Sequence, residues 1–136
     1  MKEIEESKQI FPEDNFSFQV IGSAIEAHKT LGGPGLLESV YEEAHVWEML
    51  ESGLKVKRQV SVPISYKGTQ LATPLRLDLL VEDLIVVEIK AMTKYNPIFE
   101  AQLLTYLRLM NLRLGFVINF GERYVKNGIH RVVNLY

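Results

Sequence analysis

Asp78, Glu88 and Lys90 interrupt an otherwise apolar stretch, LRLDLLVEDLIVVEIK, at residues 75–90. Side chains alternate along a strand, so Glu88 and Lys90 share one face while Ile89 points to the other. If Asp78 stands opposite Glu88 on the preceding strand, two carboxylates converge beside an ammonium group. Two like charges at that separation drive one pKa upward unless a cation lies between them. A divalent ion held by hard oxygen donors removes the conflict. A lysine next to such an ion can orient or deprotonate an attacking water and stabilise developing negative charge. This is the equipment for hydrolysing a phosphodiester.

Whether Asp78 joins the other two depends on hairpin register. A plain two-residue loop at Glu82-Asp83 would pair Val81 with Leu84 and Asp78 with Val87, which leaves Asp78 on the wrong side of the sheet. A three-residue loop over 82–84 pairs Val81 with Ile85 and Asp78 with Glu88. The site therefore requires an odd loop or a bulge.

The elements that must carry these residues follow from periodicity. From Phe18, the residues Ile21, Ala24, Ile25, His28 and Leu31 recur at helical spacing until GGPG at 32–35 stops them. A second helix is expected in LLESVYEEAHVWEML, with Leu37, Val40, Ala44 and Trp47 as its apolar stripe, ending near Ser52-Gly53. The period then changes to two. Strands are expected at 56–66 and 69–81 around a Lys67-Gly68 turn, with Pro63 and Pro74 marking edges or bulges. LIVVEIK (84–90) reads as a strand buried in the middle of a sheet. Asn96-Pro97 opens a third helix, PIFEAQLLTYLRLMN, followed by strands at 113–120 and 128–136. Two helices, three strands, a helix and two strands predict an α/β domain with a mixed central sheet flanked by helices.

Composition narrows the chemistry further. The chain of 136 residues has length for one domain with a core, expected over 16–136, behind an acidic, solvated leader at 1–15. It has no cysteine, so a bound metal must use oxygen or histidine ligands, which favours Mg²⁺ or Mn²⁺. No run nears the roughly 18 apolar residues of a membrane span and the N-terminus lacks a secretion signal, so a cytoplasmic protein without membrane contact is expected. Net charge is −2, yet from residue 61 onward nine Lys or Arg face six Asp or Glu. A polyanionic partner fits that second half.

With these segments in hand, GLLESVY (35–41), LDLLVEDLIVVEIKA (77–91), EAQLLTYL (100–107) and GFVINFG (115–121) resemble, in order, the bacterial GxxExxY family of the PD-(D/E)xK nuclease superfamily. The resemblance implies a restriction-endonuclease-like core of order αβββαβ. It implies metal-binding roles for Asp78 and Glu88, a catalytic role for Lys90, and a backbone carbonyl ligand at Ile89. Glu38 matches an acid on the first core helix that adds a ligand directly or through water. Gln102 and Tyr106 match a QxxxY element; four residues apart, they share a helix face and can reach a scissile phosphate or the lysine. One departure is that Leu77, rather than proline, precedes Asp78. The activity implied is metal-dependent cleavage of nucleic acid, DNA ahead of RNA. The alternative is a non-catalytic nucleic-acid or protein binding module that keeps the fold inside a larger repair or defence complex. So small a chain leaves little room for a recognition subdomain, a deficit that a homodimer or partner protein would make good.

Several of these residues have plainer explanations. Glu38, in the first turn of its helix, is favoured there by the helix dipole alone. Gln102 reads equally well as a polar residue on a half-buried helix, and Tyr106 as a core aromatic with its hydroxyl at the edge. Tyr41 reads as packing. His28 lies on the inward stripe and is expected to be buried with a hydrogen-bond partner, with metal ligation the lesser reading. His45 and His130 have no partner legible in the sequence. Lys94, Arg108, Arg113, Arg123, Lys126 and Arg131 are candidate phosphate contacts. GGPG could cradle phosphate ahead of a helix but lacks the lysine and spacing of a P-loop, so a tight interhelical turn, able to present Glu38 and backbone N–H groups to a substrate, is expected.

Overall fold

A computed structural model of the chain describes residues 11–135. Helix α1 (Asp14–Leu31) and helix α2 (Glu38–Glu51) precede strand β1 (Val56–Val62). Two short strands, β2 (Ser65–Tyr66) and β3 (Thr69–Gln70), form a separate hairpin before β4 (Leu75–Val81) and β5 (Ile85–Lys90). Helix α3 (Ile98–Met110), β6 (Leu114–Asn119), a 3₁₀ turn (Val125–Gly128) and β7 (Ile129–Val133) complete the chain. The sheet order is β1-β4-β5-β6-β7, antiparallel except for the β5/β6 pair, which is parallel. That parallel pair needs a crossover, and α3 supplies it. The expected α/β class, mixed sheet and αβββαβ order all hold.

The sheet separates two apolar layers. Leu79, Val81, Ile85, Val87, Ile89, Phe116 and Ile118 pack with α1 and α2 on one face. Leu77, Leu80, Val86 and Val117 pack with Leu103 and Leu107 of α3 on the other. β5 is buried along its length, as its continuous apolar sequence predicts for a central strand. Among the described residues no helix is long and apolar enough to cross a membrane.

Periodicity located the first two helices but misplaced part of the inward face of α1, where Ala24 and His28 turn inward and Ile21 packs on the core as expected, and most of that of α2. Phe18 is 86% exposed, and Ile25 and Leu31 also face solvent, while Ser17, Val20, Ser23, Ala24, Ala27 and His28 point inward. On α2 the expected stripe of Leu37, Val40 and Trp47 is exposed, and Tyr41, Glu42, His45, Val46 and Met49 are buried. The reason is that His28, Tyr41, Glu42 and His45 find partners elsewhere in the fold, which removes much of the cost of enclosing them, although His45 Nδ1 has none among the described residues. Tyr41 donates its hydroxyl to Gly33 O at 2.7 Å and accepts Leu36 N–H at 3.1 Å, pinning the interhelical turn. His45 Nε2 lies 3.0 Å from Val20 O, and complete burial holds this imidazole neutral, its pKa pushed down to about 4.

Other boundaries also move. The two long strands expected over 56–66 and 69–81 break beside Pro63 and Pro74, since proline cannot donate to a ladder. α3 begins one residue later than expected, with Pro97 at the cap position, and Asn96 Oδ1 accepts the Ile98 N–H at 2.9 Å just ahead of it. Of the leader expected at 1–15, residues 1–10 lie outside the described residues. Its last residues belong to the ordered structure: buried Glu13 accepts from Arg113 Nε at 2.6 Å, and Asp14 from Arg113 Nη2 at 2.6 Å. Arg113 also covers the Phe11 ring, 3.8 Å from its centroid.

Candidate active site

The β4-β5 hairpin has the register that the site demands. Glu82 and Asp83 both take positive φ, 54° and 56°, and Leu84 N–H bonds to Val81 O at 2.9 Å, the signature of a primed two-residue turn. Val81 nevertheless pairs with Ile85, so Leu84 is an extra residue that bulges out of the ladder. Pairing continues through Leu80 with Val86 and Leu79 with Val87, which brings Asp78 level with Glu88.

At that level side chains replace the backbone ladder. Asp78 N–H donates to Glu88 Oε2 at 2.9 Å, and Ile89 N–H donates to Asp78 Oδ2 at 2.8 Å. Each carboxylate is thereby fixed through one oxygen by the opposite strand. The β1/β4 ribbon also changes sides here: Val56, Leu79 and Val81 pack towards α1 and α2, whereas Val60, Val62, Leu75 and Leu77 pack towards α3. Gln59, opposite Asp78 in the register, has φ 49°, which lets β1 follow the turn.

Electrostatics reflect this crowding. Burial, and after it the charge of Asp78, pushes the Glu88 carboxyl up to about 8. Glu38, the first residue of α2, is raised by partial burial; Lys90 opposes that shift, while Asp78 and Glu42 add to it. Glu38 thus shares the electrostatic neighbourhood of the strand acids. Lys90 is half-buried at the end of β5, with Nζ 4.3 Å from the Phe99 ring centroid. Tyr106 is half-buried on α3, its hydroxyl held protonated by burial and by the charges of Glu88 and Asp78, and the side chain of Gln102 neighbours it.

Four contributors were not anticipated from the sequence. Glu42, one helical turn after Glu38, lines the same cleft as Glu38, Arg58, Gln59 and Asp78. Its carboxylate accepts from Gln59 Nε2 at 3.0 Å and from Arg58 Nε at 3.2 Å. The Glu38–Glu42 spacing of four was the available signal. Phe99, which seats the Lys90 ammonium, gave no signal, because its approach to β5 is tertiary. Asn119 is buried at the end of β6; its Oδ1 accepts from Met92 N–H at 2.8 Å and its Nδ2 donates to Met92 O at 3.0 Å. With Phe120 N–H on Lys90 O at 2.7 Å, it clamps the segment after Lys90. Gly121 is required beside that clamp, since a Cβ there would overlap the Met92 carbonyl.

Other candidates lie elsewhere. His28 is buried with Nε2 3.1 Å from Phe120 O, packed near Tyr41 and Phe120, so it is the partnered core histidine that was expected. His130 stacks on Tyr95 at 4.1 Å, with Nδ1 3.6 Å from Glu100 Oε2. Arg113 is buried and paired with Glu13 and Asp14, which takes it out of reach of a phosphate, whereas Arg131 is exposed and only loosely paired with Asp14. Lys94, Arg108, Arg123 and Lys126 have no carboxylate partner among the described residues.

The donors suit a hard divalent cation. Asp78 and Glu88 each keep one carboxylate oxygen outside the cross-strand bonds, and the proton that burial forces onto Glu88 marks a place where a cation relieves repulsion. Among the described residues no three His, Asp or Glu side chains are gathered closely enough to enclose a metal. Mg²⁺ characteristically completes a two-carboxylate set with water and substrate phosphate. No curated protein and no solved structure matches the chain. The sequence pattern of one family does match, over residues 14–132, and it spans both core helices, the acid pair and the lysine: the chain belongs to the PD-(D/E)XK nuclease superfamily.

Proposed function

We propose that this protein is a metal-dependent nuclease of the GxxExxY type that hydrolyses phosphodiester bonds, DNA being the first substrate to test. The observation that carries the reading is the reciprocal lock between Asp78 and Glu88, with Lys90 on the Glu88 face of the same strand. Mg²⁺ or Mn²⁺ held by Asp78 and Glu88, with the Ile89 carbonyl and a water bridge from Glu38 completing the set, would neutralise phosphate charge and activate water. The chain's own groups do the rest. Lys90 orients the attacking water and meets the negative charge that grows on the phosphate oxygens. Tyr106, kept protonated, donates to a phosphate oxygen, and Gln102 orients that hydroxyl. Glu42, tied to Arg58 and Gln59, holds the wall of the cleft.

Single- and double-stranded DNA and RNA incubated with Mg²⁺ or Mn²⁺ test this directly. Cleavage should stop with a chelator, and Lys90→Ala and Asp78→Ala should each lower it by about 10²–10³-fold while circular dichroism stays unchanged. Equal cleavage by wild type and both variants would exclude the reading. Metal-independent binding without cleavage would instead favour a binding module.

A further inference from the structure

Outside the acidic cleft, a cavity of about 480 Å³ is lined by Lys29, Arg123 and Lys126 together with Ile25, Tyr124 and Val125. Among the described residues no acidic side chain lines it. Its three cations have no carboxylate partner among the described residues, whereas Lys57, Arg58, Arg113 and Arg131 each face one. Glu26, on the same helix as Lys29, is engaged by Thr30 Oγ1 at 2.9 Å. Three like charges gathered without a counterion repel one another, and an anion bound among them relieves that repulsion. Tyr124 is 55% exposed, with the Arg123 guanidinium 5.3 Å from its ring centroid. An aromatic ring with an adjoining guanidinium is a stacking platform for a nucleobase, and Ile25 and Val125 add apolar wall.

The cavity lies at the end of the sheet that carries Glu88 and Lys90. β5 and β6 run parallel, with Lys90 paired to Asn119, so the segment 121–126 leaves the sheet at the end that carries Lys90. The interhelical turn joins the two places: Gly32 and Gly33 line the cavity, while Leu37 and Glu38 line the acidic cleft. A volume in the range of small-ligand sites admits one nucleotide, and a base enters such a pocket only when it is unpaired.

The geometry points to a nucleotide subsite: Lys29, Arg123 and Lys126 hold a phosphate of a single-stranded nucleic acid, and Tyr124 stacks the unpaired base next to it. A neighbouring phosphate of the same strand then reaches Asp78, Glu88 and Lys90. This rests on the nuclease reading for the identity of the strand and adds that the preferred substrate is unpaired.

Binding without turnover separates the two ideas. Fluorescence anisotropy of the full chain with a labelled single-stranded oligonucleotide, and with the blunt duplex of the same sequence, is measured in chelator across a salt series. Single strand should bind more tightly than duplex. The double variant Arg123→Ala/Lys126→Ala should lose about 10-fold or more in affinity and lower the salt slope by about 1.4. Tyr124→Ala should lose about 5–10-fold and Tyr124→Phe should restore it, because the ring stacks and the hydroxyl does not. All three residues are exposed, so these variants should fold. Wild-type affinity and salt slope in the double variant, or equal loss in Tyr124→Ala and Tyr124→Phe, would overturn the subsite. A wild type that binds through these residues but cleaves nothing would refute the nuclease reading and leave the subsite standing. Cleavage and binding unchanged in the cavity variants would do the reverse.

Discussion

Glu88 is only 6% exposed, and one strand away stands a second carboxylate, Asp78. An ordinary glutamate ionises near ~4.3, while this one is pushed up to about 8. A pKa raised on folding means that the folded state holds the proton more tightly than the unfolded state. The associated stability is fully present below the unfolded value and is lost as pH rises through about 8. Glu88→Gln keeps an acceptor for the Asp78 N–H and removes the charge. Metal-free Glu88→Gln should therefore be more stable than wild type at pH 8.5 by roughly 1–3 kcal/mol, and about equal at pH 4, by urea denaturation. Wild-type affinity for Mn²⁺ should rise with pH over the same interval, because the ion competes with that proton, and the Gln variant should not bind. A wild-type stability that is flat from pH 4 to 8.5 would contradict the assignment.

At the scale of elements, the β4-β5 hairpin decides whether there is a site at all. Its turn places two non-glycine residues in the left-handed region, and the Leu84 bulge sets the register. Asp83 contributes only an ion pair with Lys57 in which both side chains are exposed, a kind of contact worth little. Asp83→Gly should therefore stabilise the protein by roughly 0.5–1 kcal/mol through relief of positive-φ strain, with cleavage unchanged. Thermal unfolding and the nuclease assay check both halves; a fall in stability would show that the exposed pair matters more than the strain. The requirement for an odd loop was legible in the sequence, because a period of two makes register a matter of counting. The strand switch at Gln59 and Asp78 was not, since it depends on which layer each half of the ribbon finds to pack against.

At the scale of the whole molecule, the start of α1 is tied to the start of β6. Arg113, 8% exposed, binds Glu13 and Asp14 across a sequence separation of about a hundred residues. Removing one member of a buried pair leaves the other charged and without compensation. Arg113→Ala should cost about 3–5 kcal/mol, and adding Glu13→Gln should recover part of that loss, as measured by denaturant unfolding. Additive losses in the double variant would show that the two residues do not act as a pair. The same pairing takes Arg113 out of the basic surface of the second half, while Arg123 and Lys126 face a cavity.

By itself, the sequence determined the kinds and order of the main elements, the central position of β5 and the condition, an odd loop or a bulge, under which Asp78 meets Glu88. Each of these follows from local periodicity or from chain counting along adjacent strands. Only the tertiary structure decided which faces of α1 and α2 turn inward, because a buried Tyr41 or His45 is acceptable only once its distant partner is in place. It also brought Glu42 into the cleft, seated Lys90 against Phe99 and gathered Lys29 with Arg123 and Lys126. These are meetings between elements far apart in the chain, and no spacing along one strand or helix encodes them.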